Sequence, residues 1–315
     1  MTKVRFKNGK LASLLFFLCA LVAMTFFLAF PVRYTESIRE GVSLWAISVL
    51  PATFPFLFLT ALFTRNRCFS RVSACVSPIA GKAFAVSGAG GCAALLSALS
   101  GYPVGARAVS DLYINGYLPK EETFRTACLA TTTGPMFLVG AVGARMFQSA
   151  LAGWLMLISH LVAVWTVCAL LRIKKKAVRS APAPMSGGGN ISDLIYEAVI
   201  SVLCVGGAIA LFYAFGQMLT DLGAFAGIEN PTVVGILRGL LEMTSGCACL
   251  SAEVSPLSLA LSCFLVTFGG LCVIVQQWTF LSKTNVKLLP FLGVKLLQGV
   301  LAGALCFALC LIAGF

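Results

Sequence analysis

Five charged side chains lie within or beside apolar stretches of this sequence: Arg107, Arg145, Arg238, Glu242 and Lys295. A central Arg or Lys costs a membrane helix about 2.5–3.5 kcal/mol even on translocon-based scales, so charges at such depth point to a task. Arg238 and Glu242 stand four apart, as do Arg107 and Asp111, and either pair can neutralise itself on one helix face. Arg145 and Lys295 fall nearer the ends of their stretches and can snorkel to the interface. Cations outnumber carboxylates in the set, and helix N-termini directed at the same region would add N–H donors. A cavity assembled from these parts favours an anion.

Unwound backbone is the second source of chemistry. LPATFPF (50–56) sets Pro51 and Pro55 four apart on one helical face, each removing a backbone hydrogen bond, which reads either as a gating hinge or as a kinked packing helix. SGYPVGAR (100–107) is a Gly/Pro turn beginning at Ser100 that exposes N–H and C=O groups. TTTGPMFLVGAVG (131–143) puts the hydroxyls of Thr132 and Thr133 beside a Gly-Pro break, although threonines can also rebond carbonyls within a helix. GLLEMTSG (239–246) brings Glu242 and Thr244 to a comparable interruption, and Gln276 and Gln277 offer neutral donors late in a later stretch. His160, the sole histidine, reads as a helix-packing residue rather than a proton relay, and GAGGC (88–92) as close packing. No Ser-His-Asp, Cys-His or paired-carboxylate set is discernible, and Cys247 and Cys249 lack partners with metal-ligand spacing. The expectation is no enzyme, no metal and no cofactor.

The elements that must hold these residues are membrane helices. Of 315 residues, 59% are hydrophobic and only 11% charged, with a mean hydropathy of +0.96, which excludes a water-soluble enzyme. Residues 11–30 hold 18 apolar residues out of 20 after a basic start, and read as an uncleaved signal anchor with its N-terminus in the cytoplasm. Further apolar spans are expected at about 42–63, 127–147, 149–171, 193–219, 257–281 and 288–313. Segments near 84–105 and 232–252 are too interrupted by Gly, Pro, Ser and charge to be plain spans.

Loop charge decides how those two segments run. The formal net charge of +12 is read first as loop orientation rather than nucleic-acid binding. Residues 64–84 and 172–179 are both basic and belong inside, so 84–105 enters and leaves on the cytoplasmic side. Residues 220–231 carry Asp221 and Glu229 without a cation and belong outside, so 232–252 is a hairpin from that side. Making both segments full spans keeps the same end points but puts Lys120 outside and reverses 172–179.

The halves flank a linker-like stretch at 180–190 and share strings in the same order: ISVL at 47 and 200, LLxxxSG at 95 and 240, and a Gly-centred break at 131 and 267. The expected fold is an all-α polytopic membrane protein of about seven transmembrane helices plus two re-entrant hairpins in an inverted repeat, the architecture of secondary transporters. Its units are a signal-anchor helix (1–35), a first repeat (36–148), a connecting helix and linker (149–192), a second, inverted repeat (193–282) and a C-terminal helix (283–315).

GVSLWAISVLPATFPFLFLTALF, SGYPVGARAVSDLY, TTTGPMFLVGAVGARMF, GLLEMTSG and TFGGLCVIVQQWTFL together resemble the sporulation integral membrane proteins of the YlbJ type, a branch of the Gate-domain or nucleoside-recognition group, over residues 36–300. The wider group is similar to concentrative nucleoside transporters. The resemblance implies a multi-pass protein of the cell membrane, the outer forespore membrane in a sporulating host, that moves dipicolinate, a small planar dianion. It implies a pathway lined by Gly101, Tyr102, Pro103, Gly134, Pro135, Ser245, Gly246, Gly269 and Gly270, with Arg107 and Arg238 as carboxylate partners. Expected partners are the lipid bilayer and a small anionic solute, with a homo-oligomer left open and no nucleic acid. A nucleoside permease on the same scaffold and a non-transporting sporulation scaffold are the competing readings.

Overall fold

The computed structural model describes residues 9–66, 68–172, 190–224 and 227–315. The basic run after Arg172 and the expected linker up to Gly189 lie outside the described residues.

The chain is helical throughout the described residues. Helix α1 (Gly9–Ala29) meets α2 (Pro31–Leu44) at a 106° bend, with Pro31 in the first turn of α2, where its missing N–H costs nothing. α2 continues through a π-helical turn, Trp45–Val49, into α3 (Leu50–Arg65). There Leu50 N–H reaches back five residues to Trp45 C=O, one position before Pro51 withdraws a donor. The proline and the widened turn are one adjustment of the ladder.

α4 (Phe69–Phe84) follows, then α5 (Gly88–Ser100) at 87° to it, α6 (Val104–Ile114), α7 (Lys120–Leu129), a π-helical segment Met136–Met146, and α8 (Ala150–Leu171). The second half holds α9 (Ile191–Asp221), α10 (Pro231–Leu241), α11 (Met243–Leu250), α12 (Pro256–Phe268), α13 (Gly270–Leu281) and α14 (Leu288–Ala313). Apart from α1 and α4, which have no counterpart in the second half, the same order occurs twice: a long helix, a helix hairpin, a helix broken at its middle, and a straight helix.

Among the described residues four helices are long and apolar enough to cross a membrane, or up to six if each bent pair counts as one span, against the seven expected. The expected span 42–63 is interrupted by the π turn, and 127–147 is unwound from Ala130 to Pro135, leaving the shorter apolar pieces Thr53–Arg65 and Met136–Met146. The first hairpin is also displaced from 84–105: its arms are α5 and α6, its tip is Gly101–Pro103, and the returning arm extends to Ile114. The second, α10 and α11, falls within the expected segment and turns on a single extended residue, Glu242.

Two sets of helices pack around these hairpins. α2 and α3 run antiparallel to α9: Arg33 and Tyr34 bind Asp221 at one end and Arg65 binds Glu197 at the other. Midway, the Trp45 ring lies on Gly206, and its Nε1 donates to Val202 C=O at 3.1 Å. On the other side α8, α12 and α14 pack together, with Gly299 and Gly303 of α14 against Phe264 and Ala260 of α12.

Glycine decides how closely the hairpin arms approach. A Cβ on Gly246 would lie 2.3 Å from the Cα of Gly239, so α10 and α11 touch backbone to backbone. Gly246→Val should therefore destabilise the fold by about 1–3 kcal/mol, the usual cost of overpacking. Gly207→Val, where a Cβ meets nothing within 4 Å, should leave stability unchanged, and thermal unfolding of the two detergent-solubilised variants checks both.

Candidate functional site

Breaking a helix at membrane depth strands N–H donors and C=O acceptors that lipid cannot satisfy. In the first half the unwound stretch Ala130–Pro135 is held by its surroundings. Thr132 N–H donates to Ser97 Oγ at 3.0 Å, and the two side-chain hydroxyls lie 2.8 Å apart. Thr133 N–H donates to His160 Nε2 at 3.0 Å. The proton of a neutral imidazole is then on Nδ1, which donates to Thr267 Oγ1 at 2.9 Å. His160 thus ties the break of one half to the end of α12 in the other.

The ends of α7 and α11 are met by opposite charges. Lys295, fully buried on α14, donates from Nζ to Thr131 C=O at 2.8 Å, and Gln298 donates to Cys128 C=O at 3.0 Å, so α14 caps the outgoing carbonyls of α7. Glu242 is 5% exposed and caps the other sense of dipole. Its two oxygens accept from Thr244 N–H at 3.0 Å and Ser245 N–H at 2.8 Å, at the start of α11. Tyr102, at the tip of the first hairpin, sends its hydroxyl to Met243 Sδ at 2.7 Å and Val266 C=O at 3.3 Å. The tips and breaks of both halves are therefore in mutual contact.

Between them lies a cavity of about 380 Å³. The first tip contributes Ser100, Gly101 and Tyr102, the first break Thr133 and Gly134, and the second tip Glu242, Met243 and Thr244. Gln276 and Val273 of α13, Pro51 and Thr53 beside the π turn, and Met136, Phe137 and Arg145 of the second π-helical segment complete its polar and apolar wall. A smaller cavity of about 130 Å³ lies between α2, α9 and the second hairpin, lined by Ser37, Glu40, Gln217, Thr220, Arg238 and Ser245 among others. Glu242 lines both.

The expected site residues divide accordingly. Ser100, Gly101, Tyr102, Thr133, Gly134, Glu242, Thr244, Gln276 and Pro51 share the central cavity. Pro103, Thr132, Pro135, Gly246, Gly269, Gly270 and Pro55 are not on its wall. Several of these hold backbones together instead: Gly270 has φ +63, and a Cβ there would sit 2.7 Å from Gly239 C=O, while Gly269 has φ +96 at the end of α12. Arg238 and Ser245 line the smaller cavity.

Arg107 is also off the wall. It is 4% exposed and donates to Glu197 C=O at 2.9 Å, Ser201 Oγ at 2.6 Å and Glu197 Oε2 at 2.9 Å, with Asp111 at 3.4 Å. Its guanidinium joins α6 to α9 and is spent on the fold. The cation on the cavity wall is Arg145, whose position near a helix end had suggested snorkelling. A cation two residues beyond Gly143, in a segment opened by Gly-Pro, was the available signal. His160 and Lys295 carry roles their isolation in apolar sequence did not reveal.

The Arg107 network makes a simple forecast. Arg107→Met and Glu197→Gln should each lower the unfolding temperature, and the double variant should lose less than the sum, since both remove the same pair. Thermal unfolding of the three variants measures the coupling.

No family model matches the chain, and no solved structure matches it. It is similar to the sporulation integral membrane protein YlbJ of Bacillus subtilis (strain 168), at 28% identity over 331 residues, covering 93% of this chain and 80% of that protein. With an all-helical fold and apolar helices fit to cross a bilayer among the described residues, the chain is a multi-pass membrane protein similar to that sporulation integral membrane protein.

Proposed function

We propose that this protein is a membrane transporter of a small organic anion, with dipicolinate as the solute to test first. The observation that carries the reading is the central cavity walled by both hairpin tips, the first helix break and α13 beyond the second. Broken helices meeting at mid-depth are how secondary transporters build solute sites, and unwound backbone is tolerated there because it is buried in protein or lines a wet cavity. The volume of about 380 Å³ falls within the range of roughly 300–1,000 Å³ typical of small-molecule pockets.

Charge supports an anion. Arg145 is the Lys or Arg on the cavity wall, and the Glu242 carboxylate is occupied by two N–H groups of α11. The sporulation role named for the relative, and the Gate-domain resemblance, make the outer forespore membrane the proposed location, with the N-terminus cytoplasmic and alternating access between the two halves. A second reading, a nucleoside or other hydroxylated solute, is favoured by Glu242, Gln276, Thr133, Thr244 and Ser100 on the same wall.

Labelled dipicolinate should enter proteoliposomes holding the purified protein at a rate above empty liposomes. Arg145→Ala should raise the KM about tenfold, the cost of one charge-assisted hydrogen bond of roughly 1.5 kcal/mol. Dicarboxylates should compete and nucleosides should not. Competition by nucleosides alone would move the assignment to the second reading, and absence of flux for either class would favour a non-transporting scaffold.

A further inference from the structure

We propose that Lys295 is a tethered substitute for a coupling cation, its ammonium filling the ion position at the broken helix of the first half, so that transport needs no exchangeable monovalent cation there. The inference rests on the transport reading above.

The position is set by backbone. α7 ends at Leu129 with no following helix for six residues, so its last carbonyls gather the negative end of the helix dipole. In transporters with discontinuous helices, unwound carbonyls and half-helix C-terminal ends are the groups that coordinate coupling ions. Here Lys295 Nζ lies 2.8 Å from Thr131 C=O, and the Gln298 amide, one turn along α14, takes Cys128 C=O.

The charge has no carboxylate to account for it. Lys295 is fully buried and takes part in none of the ion pairs among the described residues. A lone ammonium at this depth is costly unless it satisfies something that would otherwise need a cation. The corresponding end in the second half, α12, is met by a neutral donor, the Tyr102 hydroxyl on Val266 C=O. The positive charge is therefore particular to the first break, two residues behind the cavity-wall residue Thr133.

Two variants separate this from a packing role. Lys295→Ala removes the charge and leaves room for an ion, whereas Lys295→Met removes the charge and fills the room. In wild-type proteoliposomes, uptake should be the same in sodium, potassium or choline salts. In choline, both variants should lose about tenfold or more, as expected for deleting one charge-assisted hydrogen bond. Sodium or methylammonium should restore several-fold uptake to Lys295→Ala and nothing to Lys295→Met.

Thermal unfolding of the purified proteins gives the same test without any solute. Methylammonium or sodium should raise the unfolding temperature of Lys295→Ala by a few degrees relative to choline, and leave wild type and Lys295→Met unmoved. Sodium-dependent uptake by wild type, equal responses of the two variants, or no cation effect on Lys295→Ala would overturn the proposal. If wild type moves no solute at all, the transport reading fails while the unfolding measurements still decide whether Lys295 stands in for an ion.

Discussion

Every helix that stops inside a bilayer must find partners for the polar groups it strands, and the buried polar side chains around the breaks and tips of this protein answer that one requirement. Ser97 and His160 accept N–H groups of the first break, and Lys295 and Gln298 donate to the carbonyls that leave α7. Glu242 accepts the first N–H groups of α11, and Tyr102 reaches the last turn of α12. The sign of each charged side chain follows the sign of the dipole it faces.

Because the partners come from other elements, satisfying the breaks also assembles the fold. His160 on α8 joins the two halves through Thr133 and Thr267, and Tyr102 joins the first tip to the second. Close backbone contacts supply the rest: Gly101 against Gly134, Gly143 against Gly153, and Gly239 against both Gly246 and Gly270. What is left between the tips is the central cavity, a by-product of helices that end short of one another.

Much of this was legible in the sequence. Apolar content identified the class, and the clusters at 100–103, 131–135 and 242–246, rich in Gly, Pro, Ser and Thr, marked the tips and the first break, since such residues interrupt apolar helices readily. The roles of the charges were less legible. Arg107 has the same type and local context as a solute clamp, yet its partners Glu197 and Ser201 lie about ninety residues away on α9, a distance that local spacing does not encode. Nor does the i, i+4 spacing of Arg238 and Glu242 reveal that the helix ends at Leu241 and that Glu242 caps the next one. Arg145, exposed in the last turn of its helix, also lines the central cavity, a neighbourhood set by the distant tips rather than by its own segment.

Glu242 is a side chain common to the two cavities, so the start of α11 is part of the partition between them. If water fills both sides, a membrane potential falls mostly across that partition rather than evenly over the bilayer. A dianion passing it would then exchange roughly 4–5 kcal/mol with each 100 mV, twice the value for one elementary charge. On the proposed transport reading, the tip of the second hairpin would then be a place where the electrical state of the membrane acts on the solute.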